Sequence, residues 1–199
     1  MKIISFEGFE YSGKSTQIKL LQRYFKKNKI RSTFTREPGG NKQLEKIRKI
    51  ILQSDFNNLS LILFFFASRF SLLSSMKTKD LVVFDRFFDS TYAYQKITSK
   101  DKSLILNLID QIEKKYIPII TFYFKINKKT LLNRKKMRGQ KNYFDKKYAS
   151  HFTRIQKNYD EIGKLKIGKR KFITIDASKP KEIIHKEIVE NLKRCKLIR

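Results

Sequence analysis

One eight-residue stretch limits what this chain can fold into more than any other feature. Residues Gly8 to Ser15 read GFEYSGKS: a glycine, four variable residues and then Gly-Lys-Ser. The stretch follows an apolar run at Lys2–Phe6 and precedes helically spaced apolar residues at Ser15–Lys27. A strand, a glycine-rich loop and a helix in this order predict a P-loop, in which backbone N–H groups point inward and hold phosphate oxygens.

This loop assigns ATP contacts to consecutive residues. Lys14 would bridge the terminal phosphates, and the hydroxyl of Ser15 would reach the Mg²⁺ that accompanies ATP. The helix that follows adds the positive end of its dipole. The loop alone indicates a nucleoside triphosphate site and leaves the acceptor open. The predicted ATP-binding residues are Gly8, Phe9, Glu10, Tyr11, Ser12, Gly13, Lys14, Ser15 and Thr16.

The rest of the chain alternates short apolar runs with longer helical patterns. An alternation of strands and helices predicts parallel strands joined by right-handed crossovers. We therefore expect one domain over residues 1–199, a three-layer α/β/α sandwich with a five-stranded parallel sheet and the P-loop NTPase fold. The other predicted strands are Arg31–Thr35, Leu81–Phe84, Ile119–Phe124 and Phe172–Ile175, and the other predicted helices are Gln43–Leu52, Leu59–Ser75, Leu104–Lys115 and Pro180–Arg194.

The net charge of +28, from 46 Lys and Arg against 18 Asp and Glu, has two interpretations. A basic patch would indicate nucleic-acid binding. A general residue bias toward Lys, Ile, Asn and Phe would instead spread lysines over the whole surface. The lysines run along the entire chain rather than in one block, which favours a solvated surface. We expect no specific nucleic-acid partner, and a general attraction for anionic substrates.

Cysteine content and hydropathy indicate a cytoplasmic protein. Cys195 is the one cysteine, so it cannot form an intrachain disulfide, and the 2 histidines cannot complete a metal cluster around it. The N-terminal apolar run is broken at Glu7 and is too short for the core of a signal peptide. The longest apolar run, Leu61–Ala67, is far below the roughly 20 residues of a membrane helix, so we expect no membrane contact.

Three further strings stand where ligand-binding residues are expected. Thr35–Gly40 reads TREPGG after the second predicted strand, Leu63–Phe70 reads LFFFASRF within a helix, and Phe84–Gln95 reads FDRFFDSTYAYQ after the third strand. Together with FEGFEYSGKSTQ at Phe6–Gln17, and in this order, these strings resemble thymidylate kinases, a family of P-loop nucleoside monophosphate kinases. The resemblance extends from Ile3 to about Asp176. It implies phosphorylation of dTMP to dTDP by ATP-Mg²⁺, in the dTTP synthesis pathway.

Arginines after two strands are candidates for binding the acceptor phosphate. Arg36 and Arg86 lie at the predicted sheet edge where α/β proteins bind ligands. Two fork-shaped guanidinium groups suit a phosphate dianion. The resemblance further implies that thymine stacks on Phe65 and is read by Arg69, one helical turn away. The neighbours Phe64 and Phe66 are expected in the core.

The resemblance also assigns roles to the segment after the third strand. It implies that Thr91 contacts the base and that the ring of Tyr94 presses against C2′ of the sugar, which disfavours ribose. Glu37 is expected to assist Arg36. The complete predicted substrate-binding set is Glu10, Arg36, Phe65, Arg69, Arg86, Ser90, Thr91, Tyr94 and Gln95.

The metal ligands and the lid complete the predicted site. Asp85 closes a buried strand and, with Ser15 and Glu10, is a predicted ligand of Mg²⁺. The family carries a catalytic arginine in either the P-loop or a lid, and this P-loop has none. The basic segment 134–148 is therefore the predicted lid, which would exclude water from the transferring phosphoryl group. The predicted catalytic residues are Lys14, Arg36, Arg86, Arg134 and Arg138.

Three other functions remain open from the residues themselves. Another P-loop nucleoside or nucleotide kinase would use the same loop with a different acceptor. A nucleic-acid-stimulated ATPase would use the +28 charge to bind polynucleotide. An ATP-dependent switch or assembly module would bind ATP without transferring phosphate. The resemblance favours the dTMP kinase, and it implies a homodimer formed through helices such as Leu59–Ser75.

Overall fold

Five strands form a single parallel sheet with the order β2-β3-β1-β4-β5. The structure is a computed structural model that describes residues 1–77, 80–138 and 149–199. The register places Phe6 of the first strand beside Asp85 of the third, and Arg36 of the second beside the same Asp85. The carboxyl ends of these three strands therefore meet at one edge. The strands are β1 (Lys2–Gly8), β2 (Ser32–Arg36), β3 (Leu81–Asp85), β4 (Ile120–Lys125) and β5 (Lys171–Asp176).

Helices lie on both faces of the sheet, as the sequence predicts. Side chains alternate between the faces, so Ile4 packs in one apolar cluster and Ile3 packs in the other. The face of Ile4 is covered by α1 and α8, and the face of Ile3 is covered by α3 and α5. The helices are α1 (Lys14–Lys27), α2 (Lys42–Gln53), α3 (Asn58–Ser75), α4 (Phe88–Gln95), α5 (Ser99–Asp110), α6 (Lys128–Arg138), α7 (Phe152–Lys164) and α8 (Lys181–Arg194).

Four helices differ from the sequence predictions, since α5 is shifted and α4, α6 and α7 were given no predicted bounds. The helix α5 begins at Ser99 and ends at Asp110, whereas the apolar spacing predicted Leu104–Lys115. Its start is fixed by a capping box, because Thr98 Oγ1 accepts from the Asp101 N–H and Asp101 accepts from the Thr98 N–H. The helix α4 was not predicted, since its apolar and polar residues have no helical period.

The helix α3 is the longest apolar segment among the described residues. By length and composition it could cross a membrane, but a core helix of a soluble protein satisfies the same criteria. Its residues Ile62, Phe66 and Leu73 are buried against the sheet. Phe64, predicted to be in the core, is instead 39% exposed because it lies on the opposite side of the helix from Phe66. We interpret α3 as a core helix with one outward-facing side.

Candidate active site

A cavity of about 570 Å³ opens at the carboxyl ends of the strands β1, β2 and β3. This is the edge where open α/β sheets bind ligands, and the volume suits a small-molecule site. Both predicted halves of the site contribute to its wall. The lining residues include Glu10, Tyr11, Ser12, Gly13, Lys14, Ser15 and Thr16 from the P-loop side, and Phe65, Arg69, Asp85, Arg86, Ser90, Thr91, Tyr94 and Gln95 from the acceptor side.

The P-loop has the backbone conformation that its glycines permit. Gly8 has φ +140°, and a Cβ there would lie 2.6 Å from the Phe124 carbonyl oxygen, so no larger residue fits. Gly13 has φ +93° at the start of α1, and Tyr11 adopts a left-handed φ of 62°. Ser12 Oγ is buried and has no hydrogen-bond partner among the described residues. A left-handed loop with an unpaired buried hydroxyl is suited to an incoming anion.

Lys14 lies inside this loop rather than in solvent. Its Nζ donates to the carbonyl oxygens of Gly8, at 2.8 Å, and Phe9, at 3.0 Å. Burial, together with the nearby Arg86 cation, lowers the pKa of Lys14 to about 8. The side chain of Phe9 packs in the core against Tyr94, so the structure leaves only its backbone for the predicted ATP contact.

Arg86 is held at the centre of the cavity wall by several partners. Its Nη2 donates to Glu10 Oε1 at 2.7 Å, and its Nη1 donates to Ser90 Oγ at 3.0 Å. The Tyr94 hydroxyl bonds to both oxygens of Glu10 at 2.8 Å. Burial acts to lower the pKa of Arg86, but Tyr94 and Glu10 hold it well above its ordinary value. Arg86 therefore stays a cation inside the cavity.

A fully buried carboxylate lies behind Arg86 and was not predicted. Glu7 in β1 accepts from the Phe87 N–H at 2.6 Å and from the Ser90 hydroxyl at 2.5 Å. Burial and the neighbouring Asp89 raise the pKa of Glu7 to about 8. An ionisable residue inside an otherwise apolar strand was the signal that could have found it.

Arg69 forms a buried ion pair on the far side of the cavity. Its Nε donates to Glu37 Oε2 at 2.7 Å, and its Nη2 donates to Thr91 Oγ1 at 3.1 Å. Arg69 Nη1 and Glu37 Oε1 are buried without a partner among the described residues. Burial raises the pKa of Glu37 to about 7, although Arg69 acts to lower it. Arg69 and Glu37 line the same cavity as Phe65 and Tyr94.

Arg36 does not reach the cavity, which corrects the sequence prediction. Its Nε and Nη2 donate to the two carboxylate oxygens of Glu45, at 3.0 and 2.6 Å, and its side chain is 54% exposed. Glu45 also accepts from the Gly40 N–H, and the Arg36 hydrogen bond lowers the pKa of Glu45 to about 2. Glu37, expected to assist Arg36, instead pairs with Arg69.

A different arginine lines the cavity at that position. Arg48 of α2 donates from Nη1 to the Pro38 carbonyl oxygen at 2.7 Å. Burial and the neighbouring Arg36 cation lower the pKa of the Arg48 guanidinium. A cation held among other cations is stabilised by an incoming anion. The sequence offered no signal for Arg48, because it sits among exposed lysines on an amphipathic helix.

Arg134, a predicted catalytic residue, contacts the outer side of the P-loop. Its Nη1 donates to the Tyr11 carbonyl oxygen at 3.1 Å, and its Nη2 donates to the Ala177 carbonyl oxygen at 2.7 Å. It therefore joins the P-loop to the segment after β5. The side chain of Arg138 and the remainder of the predicted lid, residues 139–148, lie outside the described part of the chain.

Comparisons with known proteins agree with this geometry. The family model described as thymidylate kinase matches residues 6–188. The chain belongs to the thymidylate kinase family. A thymidylate kinase of Wolbachia pipientis (strain wPip) is 35% identical over 201 residues, covering 97% of this chain and 96% of the relative. One of Chlorobium limicola is 33% identical over 208 residues, covering 96% and 94%.

A solved structure supports the same conclusion for the fold. The crystal structure of thymidylate kinase from Ehrlichia chaffeensis superposes with a TM-score of 0.71 at 28% identity, covering 96% of this chain and 98% of that one. The predicted α/β/α fold with a five-stranded parallel sheet is confirmed. Membership in the thymidylate kinase family also confirms the predicted kinase activity toward dTMP over the alternative functions.

Proposed function

We propose that this thymidylate kinase binds ATP-Mg²⁺ at the P-loop and dTMP at the opposite wall of the same cavity. The observation that carries the proposal is that Lys14 and Arg86 line one cavity with Arg69 and Phe65 at its far end. A phosphate chain laid between the two cations would place donor and acceptor in line. The reaction would take place in a single kinase domain of residues 1–199, with 134–148 as its lid.

The base and sugar of the acceptor nucleotide would be recognised by side chains from α3 and α4 and by Glu37, which follows β2. Phe65 would offer a ring face for thymine, and the side chains of Arg69 and Glu37, which line the same cavity, would hydrogen-bond to its polar edge. The roles of Thr91, Tyr94, Ser90 and Gln95 follow the sequence prediction, with Tyr94 against the sugar. All of them line the cavity on α4.

The acceptor phosphate would be held by Arg86 and Arg48. Both guanidinium groups line the cavity, whereas Arg36 is neutralised by Glu45. We therefore assign Arg36 a supporting role, in which it holds the segment that carries Glu37, rather than a contact with the acceptor phosphate. An oxygen of the dTMP phosphate attacks the γ-phosphorus of ATP, the bond to the β-phosphate oxygen breaks, and ADP leaves. The protein contributes alignment and positive charge rather than a covalent intermediate.

The residues present fit a magnesium ion delivered with ATP. Mg²⁺ takes oxygen ligands and usually keeps several waters, so it does not need a protein cage. Among residues 1–77, 80–138 and 149–199 no group of three or more His, Cys, Asp or Glu suits a metal. Ser15 and Asp85 line the cavity and would hold the ion, while the oxygens of Glu10 are already bonded to Arg86 and Tyr94. When bound, Mg²⁺ offsets charge on the phosphate oxygens.

Lid closure stays a prediction for Arg134 and Arg138. In the described conformation Arg134 is anchored to two carbonyl groups at the P-loop. From that anchor it steadies the loop, and a shift of α6 would carry its guanidinium toward the phosphates. Such a shift would also exclude water from the transferring group.

A homodimer is supported by an apolar patch on α2 and α3. Its side chains are Ile47, Ile50, Leu59 and Leu63, which are between 40% and 57% exposed. Adjacent exposed apolar residues on two helices suit a second copy of this chain. Light scattering should give a dimer for the wild type and a monomer for Leu63→Lys, and a monomeric wild type would contradict the proposal.

We also propose a cytoplasmic location, where both nucleotides are available.

One assay tests the proposed reaction against its rivals. ADP release is measured with purified protein and ATP-Mg²⁺ in the presence of dTMP, dUMP, thymidine, DNA or no acceptor. We expect ADP release that depends on dTMP, with dTDP formed in equal amount. Release that depends on thymidine would indicate a nucleoside kinase, and release stimulated by DNA would indicate a nucleic-acid-dependent ATPase.

A further inference from the structure

A buried carboxylate with no direct place in the proposed reaction lies behind the acceptor-phosphate cation. Glu7 is 0% exposed, and its Oε1 accepts from the Phe87 N–H at 2.6 Å. Its Oε2 accepts from the hydroxyls of Ser90, at 2.5 Å, and Tyr159, at 3.3 Å. Donors from the turn between β3 and α4, from α4 and from α7 therefore converge on one carboxyl group of β1.

The same two hydroxyls also contact Arg86. Arg86 Nη1 donates to Ser90 Oγ at 3.0 Å and to Tyr159 Oη at 3.4 Å. A hydroxyl has one proton, so it can donate to one partner while accepting from another. The two hydroxyl oxygens also lie 3.0 Å from each other. When Ser90 donates to Glu7, and Tyr159 donates to Glu7 or to Ser90, both oxygens turn lone pairs toward the guanidinium. The direction of these protons decides whether Arg86 finds acceptors or competing donors.

The backbone at Arg86 depends on the same carboxyl group. Arg86 has a left-handed φ of 70°, a conformation that costs energy in a residue other than glycine. Its own N–H donates to the Phe6 carbonyl oxygen at 3.0 Å, and the next N–H, of Phe87, donates to Glu7. Phe6 and Glu7, which are neighbours in β1, therefore accept hydrogen bonds from the neighbouring N–H groups of Arg86 and Phe87 in the turn.

We propose that Glu7 is a positioning residue for Arg86, acting through the Phe87 N–H and the hydroxyl protons of Ser90 and Tyr159. Glu7 fixes the left-handed turn and orients the hydroxyls, so that the guanidinium stays facing the acceptor phosphate. The inference rests on the proposed function, in which Arg86 binds that phosphate. Glu7 itself touches neither nucleotide.

The charge state of Glu7 gives the proposal a specific signature. Burial and Asp89 raise the pKa of Glu7 to about 8, while Ser90, Arg86 and the Phe87 N–H act to lower it. The other ionisable groups that face it are Tyr159 on α7 and Lys14 on α1. The ionised form, which can only accept hydrogen bonds, predominates above that pKa. The amide of a glutamine resembles the protonated form at every pH.

The decisive variant is Glu7→Gln, assayed at pH 7 and pH 9. The dTMP phosphate titrates alike in both proteins. Glu7 acts to raise the pKa of Lys14, so the ATP KM is measured at each pH to detect any change at Lys14, and the ratio of dTMP KM values then reports the effect of Glu7 on the acceptor site. We expect the dTMP KM of the variant to exceed that of the wild type by about tenfold at pH 9, the effect of losing one charge-assisted hydrogen bond. The ratio should be smaller at pH 7, and the ATP KM should not change. Equal dTMP KM values at both pH values would overturn the proposal.

Removal of the Ser90 hydroxyl separates positioning from general support. In a Ser90→Ala background, glutamine no longer forces a donor toward Arg86, so Glu7→Gln should have a smaller effect on the dTMP KM than it has in the wild type. A merely structural Glu7 would give the same factor in both backgrounds, with parallel loss in urea stability. That result would overturn the proposal.

The experiments distinguish a failure of the positioning role of Glu7 from a failure of the proposed function. A wild type without dTMP-dependent ADP release would refute the function, whereas an active wild type with an unaffected Glu7→Gln refutes only the positioning role. If Glu7→Gln does not fold, Tyr159→Phe and Ser90→Ala replace it, since both keep the packing. Each should raise the dTMP KM and spare the ATP KM, and unchanged dTMP KM values in both would overturn the proposal.

Discussion

The two ends of the cavity are built by different means. At the donor end, consecutive residues Gly8–Ser15 provide the contacts, mainly through backbone groups whose positions depend on two glycines. At the acceptor end, side chains from α2, α3, α4 and the end of β3 converge, and buried ion pairs hold them. A backbone site tolerates variation in most of its side chains but depends strongly on a few residues, here the two glycines and Lys14, whereas a side-chain site spreads its contacts over many residues. We therefore expect a single substitution at one of those few residues to abolish donor binding, and single substitutions at the acceptor end to weaken dTMP binding only in part.

The largest effect that we predict is the loss of activity in Lys14→Ala, which tests the donor end of the cavity. The residue is the one side chain we assign to the terminal phosphates within the loop, and its ammonium is already inside it. We predict a loss of at least about a hundredfold in kcat, as for other single preorganised groups at a transition state. Steady-state kinetics measures it, and Lys26→Ala, an exposed lysine later in α1, is the control. Full turnover in Lys14→Ala would refute the assignment of the phosphate grip.

A comparison of Arg48→Ala with Arg36→Ala tests which of the two arginines binds the acceptor phosphate. Arg48 lines the cavity, while Arg36 is bonded to Glu45 and exposed. We predict a rise in the dTMP KM of about tenfold to a hundredfold for Arg48→Ala, the range for losing a hydrogen bond to a charged group, and a smaller rise for Arg36→Ala. The ATP KM should change in neither variant. A larger effect for Arg36→Ala would restore the prediction made from the sequence.

Phe65→Ala tests the base side with a matched neighbour. Phe65 lines the cavity, and Phe64 on the next position faces outward at 39% exposure. Loss of one stacking ring should raise the dTMP KM by about tenfold, with ATP binding unchanged. Phe64→Ala should leave the dTMP KM as it is. Equal effects of the two substitutions would place the thymine elsewhere.

The smallest expected effect is on stability, at Glu37. Its pKa is about 7 in the folded chain and returns to its ordinary value of 4.5 on unfolding. Between those values the folded protein holds a proton that the unfolded chain has released. The contribution of Glu37 to the free energy of unfolding is therefore complete below pH 4.5 and is lost as pH rises to 7.

Urea unfolding between pH 4.5 and 7 measures this dependence. The curve for Glu37→Gln should lack the decline that Glu37 contributes to the wild type, a difference of about one proton in the slope. Parallel curves for the two proteins would show that Glu37 does not titrate in this range. The Arg69–Glu37 pair would then keep one charge state throughout this pH range.

The same contrast explains what the sequence could predict. The P-loop, the strands and the cavity edge follow from contiguous patterns, in which a motif and its flanking elements identify one another. Arg86, Arg69 and Phe65 were found because each belongs to a recognisable string. The sequence did not predict that Arg48 lines the cavity and that Arg36 does not, because that outcome depends on where Glu45 lies after folding. The sequence alone does not show that Glu45 pairs with Arg36 rather than with Arg48.

Binding of a bisubstrate ligand tests the central claim most directly. The claim is that the backbone site at Lys14 and the arginine site at Arg86 face each other across one cavity. The ligand joins adenosine and thymidine through a polyphosphate chain, and titration calorimetry measures its binding to the wild type, Lys14→Ala and Arg86→Ala. We predict one ligand per chain, displaced by either ATP or dTMP, and weaker binding in both variants. A ligand displaced by only one of the two nucleotides, or weakened by only one of the substitutions, would contradict the account.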